Sequence, residues 1–430
     1  MRTQFSPAQL AAPHVAEAEK SLRACMHCGI CTATCPTYVL LGDERDGPRG
    51  RIVMMQKMLE GGIVSAEAVT HVDRCLSCLA CRTACPSSVD YARLLDAARV
   101  HIETHYRRPL RERLFRFLVA HVTTRPGHLR AGLALARLMP WLAGVLPGRL
   151  GAMAAFGART AVSKRRTKAR PVQEGKTAVA LLRGCVQQDV RPEIDEAFGR
   201  ILARRGTALV ALHARCCGAI AHHLGREAEA KALAKNVIRA FETLKSGSGV
   251  TAVTISATGC AAHLKDYPHL FRGDPDWEPR AEAFARKLRD VSELLPQEPA
   301  GRAPTPLRVA FHSACSAQNA LRLGDAPEAL LTRAGFEVAA IPEGHLCCGS
   351  AGTYSLLQPE ISAALRARKL ANIASVSPDV IATGNIGCLL HLGSEATAAV
   401  HYLELIDWAE GGAKPAVAGR PGHDSRVVVK

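Results

Sequence analysis

Two stretches of this 430-residue chain carry thiols at the same spacing. "CMHCGICTATCP", residues 25–36, and "CLSCLACRTACP", residues 75–86, both read C-x2-C-x2-C-x3-C-P, and each cysteine of the first recurs 50 residues later in the second. Three thiolates two residues apart wrap one corner of an iron–sulfur cubane, while the fourth swings toward a neighbouring cluster. The spacing therefore predicts one [4Fe-4S] cluster on Cys25, Cys28, Cys31 and Cys85 and another on Cys75, Cys78, Cys81 and Cys35. Zinc would prefer paired C-x2-C knuckles with four ligands, which leaves the doubled set of eight unexplained. Each proline ends its loop after the fourth cysteine, and Gly29 is expected to let backbone amides approach the cluster. His27 and His71 are read as cluster neighbours or surface residues, since each cluster already has four thiolates.

Eight further cysteines follow a different pattern. "ARCCGAIA" (214–221) and "HLCCGSAG" (345–352) each hold an adjacent pair, and Cys185, Cys260, Cys315 and Cys388 stand singly. A disulfide between neighbouring residues needs a strained ring. The pairs are read instead as neighbouring ligands in tight turns closed by Gly218 and Gly349, with Cys185, Cys216, Cys217 and Cys260 forming one metal or cluster site and Cys315, Cys347, Cys348 and Cys388 a second. A set of buried apolar cysteines and a dithiol cycling to a disulfide stay open as alternatives.

The elements that must position these thiols alternate. "TAVALLRGC" (177–185), "TALVALHARCC" (207–217) and "VTAVTISATGC" (250–260) read as strands with helices between, and "LRVAFHSAC" (307–315), "FEVAAIPEGHLCC" (336–348) and "DVIATGNIGC" (379–388) repeat them. Each predicted strand runs into cysteine. Offsets of 130, 131 and 128 between corresponding cysteines indicate a duplication. Strands alternating with helices predict parallel sheets, whose ligands gather beyond the strands' carboxyl ends. The expected fold is α/β overall. A helical ferredoxin-like domain over 1–100 and a basic helical connector over 101–172 come first, then two duplicated α/β domains over 173–300 and 301–430. Between the first two motifs, residues 40–62 predict a charged loop running into a helix whose methionines pack in the core.

The first 23 residues lack the unbroken apolar stretch of a secretory signal, so the thiols are expected in a reducing cytoplasm. Of the net charge of +16, residues 101–170 hold +13, from 15 Lys or Arg against Glu103 and Glu112. Within them, residues 131–156 are apolar but interrupted by Arg137, Pro140, Pro147 and Arg149, too broken to span a bilayer. Such a segment suits a solvated face, an anionic membrane surface or a protein partner. Sparse aromatic interleaving sets nucleic acid aside.

With the doubled cluster motifs, "GDERDGPRGRI" (42–52), "CCGAIA" and "HLCCGSAGTY", the chain resembles the iron–sulfur subunits of glycolate oxidase, within the wider CCG-domain family related to heterodisulfide reductase. In that wider family the CCG pattern closes with C-x-x-C. Here it closes as "CAAH" and "CLLH", placing His263 and His391 where a fifth thiol would stand. Ligation of iron and packing at a helix start are both open for these histidines.

No dinucleotide or phosphate loop follows any strand and no acid/base constellation appears, so the chain shows wiring and no substrate site. Oxidising a 2-hydroxy acid releases two electrons together, whereas a cubane carries one, so a flavin must stand between them. The resemblance implies an FAD-containing partner that oxidises glycolate to glyoxylate, with electrons leaving toward a membrane acceptor such as quinone and the chain peripheral on the inner face of the membrane. Lactate or glycerol 3-phosphate complexes, and a thiol-disulfide reductase acting at the CCG sites, are the alternatives.

Overall fold

The computed structural model describes residues 1–146, 148–160, 162–163, 177–245, 249–296, 301–393 and 399–415. The basic run 164–170, residues 297–300 and the C-terminal 15 residues lie outside them.

The N-terminal part is helical. Helices Pro13–Ala24, Pro48–Leu59, Ala66–Asp73 and Tyr91–His105 bury Leu22, Met55, Met58, Val72, Leu94 and Ile102 in one core. Met55 and Met58 thus serve the packing role expected of them. The two cysteine loops hang from these helices and share a backbone conformation. His27 and Gly29 in the first loop, and Ser77 and Leu79 in the second, all have positive φ. At position 29 the positive φ favours glycine, and a Cβ there would also stand 2.6 Å from Arg49 Nη1, the mobile end of a partly exposed side chain.

Helices Leu110–Thr123, Pro126–Leu138 and Gly148–Arg159 follow. Phe115, Val119 and Ala120 pack on Leu224 and Leu357, one from each α/β half, and Leu129 and Leu133 pack on Val190.

Two all-parallel sheets complete the chain. In the first, β1 (Ala178–Leu182) is flanked by β2 (Ala208–Leu212) and β3 (Val250–Thr254). The second runs β5 (Glu337–Ala339), β4 (Arg308–His312), β6 (Val380–Thr383), β7 (Ala399–His401). The six predicted strands are present, and β7, too short to carry a period, is an addition. β1 and β6 are buried at every position, as strands covered on both faces must be. Alternate residues face different layers. Ala178, Ala180 and Leu182 enter a core of the first half, whereas Val179 joins Ile194, Phe198, Val309, Phe311 and Leu331 in a core common to both halves. In both sheets the chain reverses direction of growth between the central strand and its right-hand neighbour, β1 to β3 and β4 to β6, which leaves a crevice beyond the strand ends.

Candidate metal centres

Cys25, Cys28, Cys31 and Cys85 line one small cavity, together with Cys81, His27 and Arg49. Cys35, Cys75, Cys78 and Cys81 line another. The structure thus groups the eight thiols so that each fourth cysteine crosses to the other loop. Cys28 is exposed beside exposed Met26 and Ile30, while the second set lies deeper. Burial, with Cys25 next in effect, pushes the Cys31 thiol up to about 11. Burial also pushes Cys78 and Cys81 well above the usual thiol range, with Cys315 adding at Cys78 and Cys78 at Cys81. Such thiols shed their protons only to a cation that takes the sulfur as ligand.

The stretch 42–52 proves to be more than a loop. Arg51, 1% exposed, donates from Nε to the His71 carbonyl at 2.7 Å and from Nη2 to Thr37 Oγ1 at 3.1 Å and Asp46 Oδ1 at 3.3 Å. Its Nη1 lies 3.8 Å from Cys35 Sγ. Asp46 is also held by His71 Nδ1 at 2.9 Å and Arg74 Nη1 at 2.9 Å. His71 is therefore a buried support of this network. Burial alone would lower the Arg51 pKa, but Cys75, Tyr91, Cys35 and Asp46 raise it, and the charge is fixed beside the second thiol set.

The α/β thiols do not stand on strands, as their sequence position suggested. Cys185 lies three residues beyond β1, the pair four and five residues beyond β2, and Cys260 and Cys388 within the helices Thr258–Lys265 and Ile386–Leu392 that follow β3 and β6. Gly218 and Gly349 close the turns with φ of +87° and +93°. Each adjacent pair divides its sulfurs. Cys216 Sγ lies 3.4 Å from Cys185 Sγ, and Cys217 hydrogen-bonds Cys260. In the second half Cys347 Sγ lies 3.9 Å from Cys315 Sγ, and Cys348 Sγ 3.5 Å from Cys388 Sγ. Hydrogen bonds with Cys185 and Cys217 outweigh burial at Cys216 and hold it well below the usual thiol range.

Both sets face one cavity of about 490 Å³, whose opposite wall carries Cys75 and Cys78. The N-terminal part is locked onto this cavity. Asn319, in a wide π-helical turn after Cys315, donates to the Cys78 carbonyl at 2.9 Å and accepts from Thr83 Oγ1 at 2.9 Å. Tyr354 Oη donates to the Arg74 carbonyl at 3.0 Å, and Arg99 donates to Ser77 Oγ at 2.6 Å. Cys78, Cys315 and Cys347 pack in one small apolar group with Leu76, Tyr354 and Leu365.

Histidines rim the cavity. His263 and His391 occupy the last turns of their short helices, so packing at a helix start is not their setting. His263 is buried with Nε2 unpartnered, its ring 4.9 Å from that of His222. His391 Nε2 lies 3.4 Å from Ser362 Oγ. Burial alone would raise the Asp96 carboxyl, but His222, with Nε2 3.2 Å from Asp96 Oδ1, keeps it well below its usual range. Residues that sequence reasoning passed over include His312 at the end of β4, whose ring nitrogen, Cys348 Sγ and Cys388 Sγ lie within 4.8 Å of one another. Its signal was the mismatch with Leu182, at the same place in the other half.

Thiols in convergent sets, orphaned buried imidazole nitrogens and a fixed cation beside Cys35 together suit soft, multiply charged metal centres. A 4Fe-4S dicluster domain family matches residues 21–89, and a cysteine-rich domain family matches 179–265 and 309–393. The chain is 38% identical over 417 residues to the glycolate oxidase iron-sulfur subunit of Escherichia coli, covering 95% of this chain and 99% of that protein. It is 34% identical over 426 residues to a Bacillus subtilis protein named as a probable glycolate oxidase iron-sulfur subunit, covering 91% and 95%. Lactate utilization protein A of Geobacillus kaustophilus is 33% identical over 221 residues, 50% of this chain and 90% of that protein. A solved hypothetical protein from Helicobacter pylori shares the fold at a TM-score of 0.50 and 11% identity, over 97% of this chain and 76% of that one.

Proposed function

The chain belongs to the family of glycolate oxidase iron–sulfur subunits, and from that premise we propose that it carries electrons from a flavin subunit oxidising glycolate to glyoxylate toward a membrane acceptor. Cys25, Cys28, Cys31 and Cys85 would hold one [4Fe-4S] cluster, Cys75, Cys78, Cys81 and Cys35 a second, and the two α/β sets further iron–sulfur centres. When bound, such clusters supply one-electron transfer. The observation that carries the reading is the continuity of the thiol sets. They run from exposed Cys28 through half-buried Cys78 to Cys315 and Cys347, which pack against it. The exposed apolar patch of Met26 and Ile30 around the first set suits the flavin subunit's docking. Anaerobic purification with that subunit, followed by assay of glycolate, lactate and glycerol 3-phosphate with an artificial acceptor, tests the assignment. A complex that turns over only lactate would transfer it to the sister function.

The α/β thiols carry a separate expectation. Cys347→Ala with Cys348→Ala should lower iron content while the spectrum of the N-terminal clusters stays in place, because the two ligand sets are distinct. Unchanged iron would assign these cysteines to a dithiol or a structural role.

The membrane side of the proposal lies on the connector. No helix among the described residues is long and apolar enough to cross a membrane. Helices Leu110–Thr123 and Pro126–Leu138 nevertheless expose Leu110, Leu114, Leu135 and Leu138, and Trp141 follows. Arg107, Arg111, Arg113, Arg125 and Arg137 are exposed nearby. This pairing of apolar and basic residues suits an anionic lipid surface. Arg108 and Arg116 do not take part: both are buried on Asp73, with Glu103 and Glu112 alongside. Replacing Arg107, Arg111 and Arg113 with Gln should weaken sedimentation with anionic vesicles by about 1 kcal/mol per residue and mimic added salt. Equal binding to neutral vesicles would assign this face to a protein partner.

A further inference from the structure

We propose that His312 is a nitrogen ligand of the metal centre in the second α/β half, giving that centre a mixed thiolate–imidazole set. The inference rests on the reading that the paired cysteines hold iron–sulfur centres.

Three observations on the structure carry it. A ring nitrogen of His312, Cys348 Sγ and Cys388 Sγ lie within 4.8 Å of one another, close enough to meet one centre. His312 is 2% exposed, and its Nε2 has no hydrogen-bond partner. A buried polar nitrogen left without a partner is costly, so an acceptor of its lone pair or its proton is called for. The third observation is the comparison between halves. The offset of 130 that relates Cys185 to Cys315 relates Leu182, fully buried among apolar side chains, to His312.

A second position differs in the same sense. Gly218 packs on Ala230 and Leu233, and Gly349 on Ser362 and Leu365, which aligns the following helices at an offset of 132. Lys369 then replaces Val237, an apolar residue with no exposure. Lys369 is 2% exposed, and its ammonium donates to the Glu343 carbonyl at 2.7 Å. Burying a cation next to a cysteine set is sustainable when that set is anionic. At these two positions the first half has hydrocarbon where the second supplies an imidazole and an ammonium.

Exchanging a thiolate ligand for a neutral imidazole raises a cluster's reduction potential, and a nearby cation acts in the same direction. The second centre, beside Cys78, is thus the one on which electrons come to rest.

The test uses the full chain, isolated anaerobically, in three forms: wild type, His312→Leu (the residue of the first half) and His312→Cys, which keeps a ligand. Pulsed electron paramagnetic resonance of reduced wild type should show an imidazole nitrogen coupling that changes on 15N-histidine labelling and vanishes in His312→Leu. His312→Cys should retain its iron and lower the potential of one centre while the others hold theirs. A coupling that survives His312→Leu, or an unmoved potential in His312→Cys, overturns the inference and leaves the cysteine sites standing. Loss of no iron from the Cys347→Ala, Cys348→Ala protein sinks the underlying reading and this inference with it.

Discussion

Serine at position 78 is expected to remove one cluster outright and to cut electron flow from the flavin subunit to the far thiols. The hydroxyl is a hard, weakly acidic donor in place of a soft thiolate. Cys78 has no room to be bypassed. It is half-buried between the second loop and the α/β half, its carbonyl is held by Asn319, and it packs with Cys315 and Cys347. Cys28→Ser should also cost one cluster, but from the exposed end, where the loop can adjust to water. Iron content and the spectrum of the reduced protein read both changes. In the complex, Cys78→Ser should also abolish transfer to the terminal acceptor while dyes that take electrons at the flavin are still reduced. Full iron and an unaltered spectrum in both proteins would remove the cluster assignment altogether.

Arg51→Met is the second large effect. The guanidinium is buried with Asp46, Thr37 and the His71 carbonyl as partners. Truncating it leaves the Asp46 carboxylate, also 1% exposed, with only His71 and Arg74 to balance it. Removing one member of a buried ion pair costs about 3–5 kcal/mol. The denaturation midpoint of the chain should fall accordingly, with the helical N-terminal part leading. The loss also withdraws a fixed positive charge from beside Cys35, so the second cluster should become harder to reduce. A variant with an unshifted midpoint would show that Asp46 and Arg74 alone hold the loop.

What could be read from the residues alone follows from where the physics is local. Thiol spacing in the first motifs is a property of one short loop, and the structure places Cys85 and Cys35 across to the opposite loops as that spacing requires. Unbroken apolar runs such as "AVALL" mark strands buried on both faces, and six of the seven strands were legible in this way. Long-range pairings were not. Asp46 is 25 residues from His71 and 28 from Arg74, and nothing in "GDERDGPRGRI" says which of its charges turns inward. Arg108 sits in a basic run and reads as solvated, yet Asp73, 35 residues earlier, draws it inside. Left-handed backbone is signalled by glycine at 29 but hidden by leucine at 79. The division of each cysteine pair between two partners depends on the turn at Gly218 or Gly349 and on loops from two other strands, so adjacency alone could not reveal it.

The core common to both halves says something about ancestry. Val179 and Val309, at equivalent positions of β1 and β4, enter the same apolar layer with Phe198, Phe311 and Leu331. This is how two identical subunits meet across a self-complementary face. A solitary half would carry that face bare, and a patch of this kind drives a chain to find a second copy. The duplicated gene therefore fits an origin as a symmetric dimer whose protomers were later joined in tandem. In a dimer of identical chains any substitution appears at both sites at once. Fusion lifts that constraint, so position 182 can hold leucine while position 312 holds histidine. The two sites of the present chain are thus free to specialise.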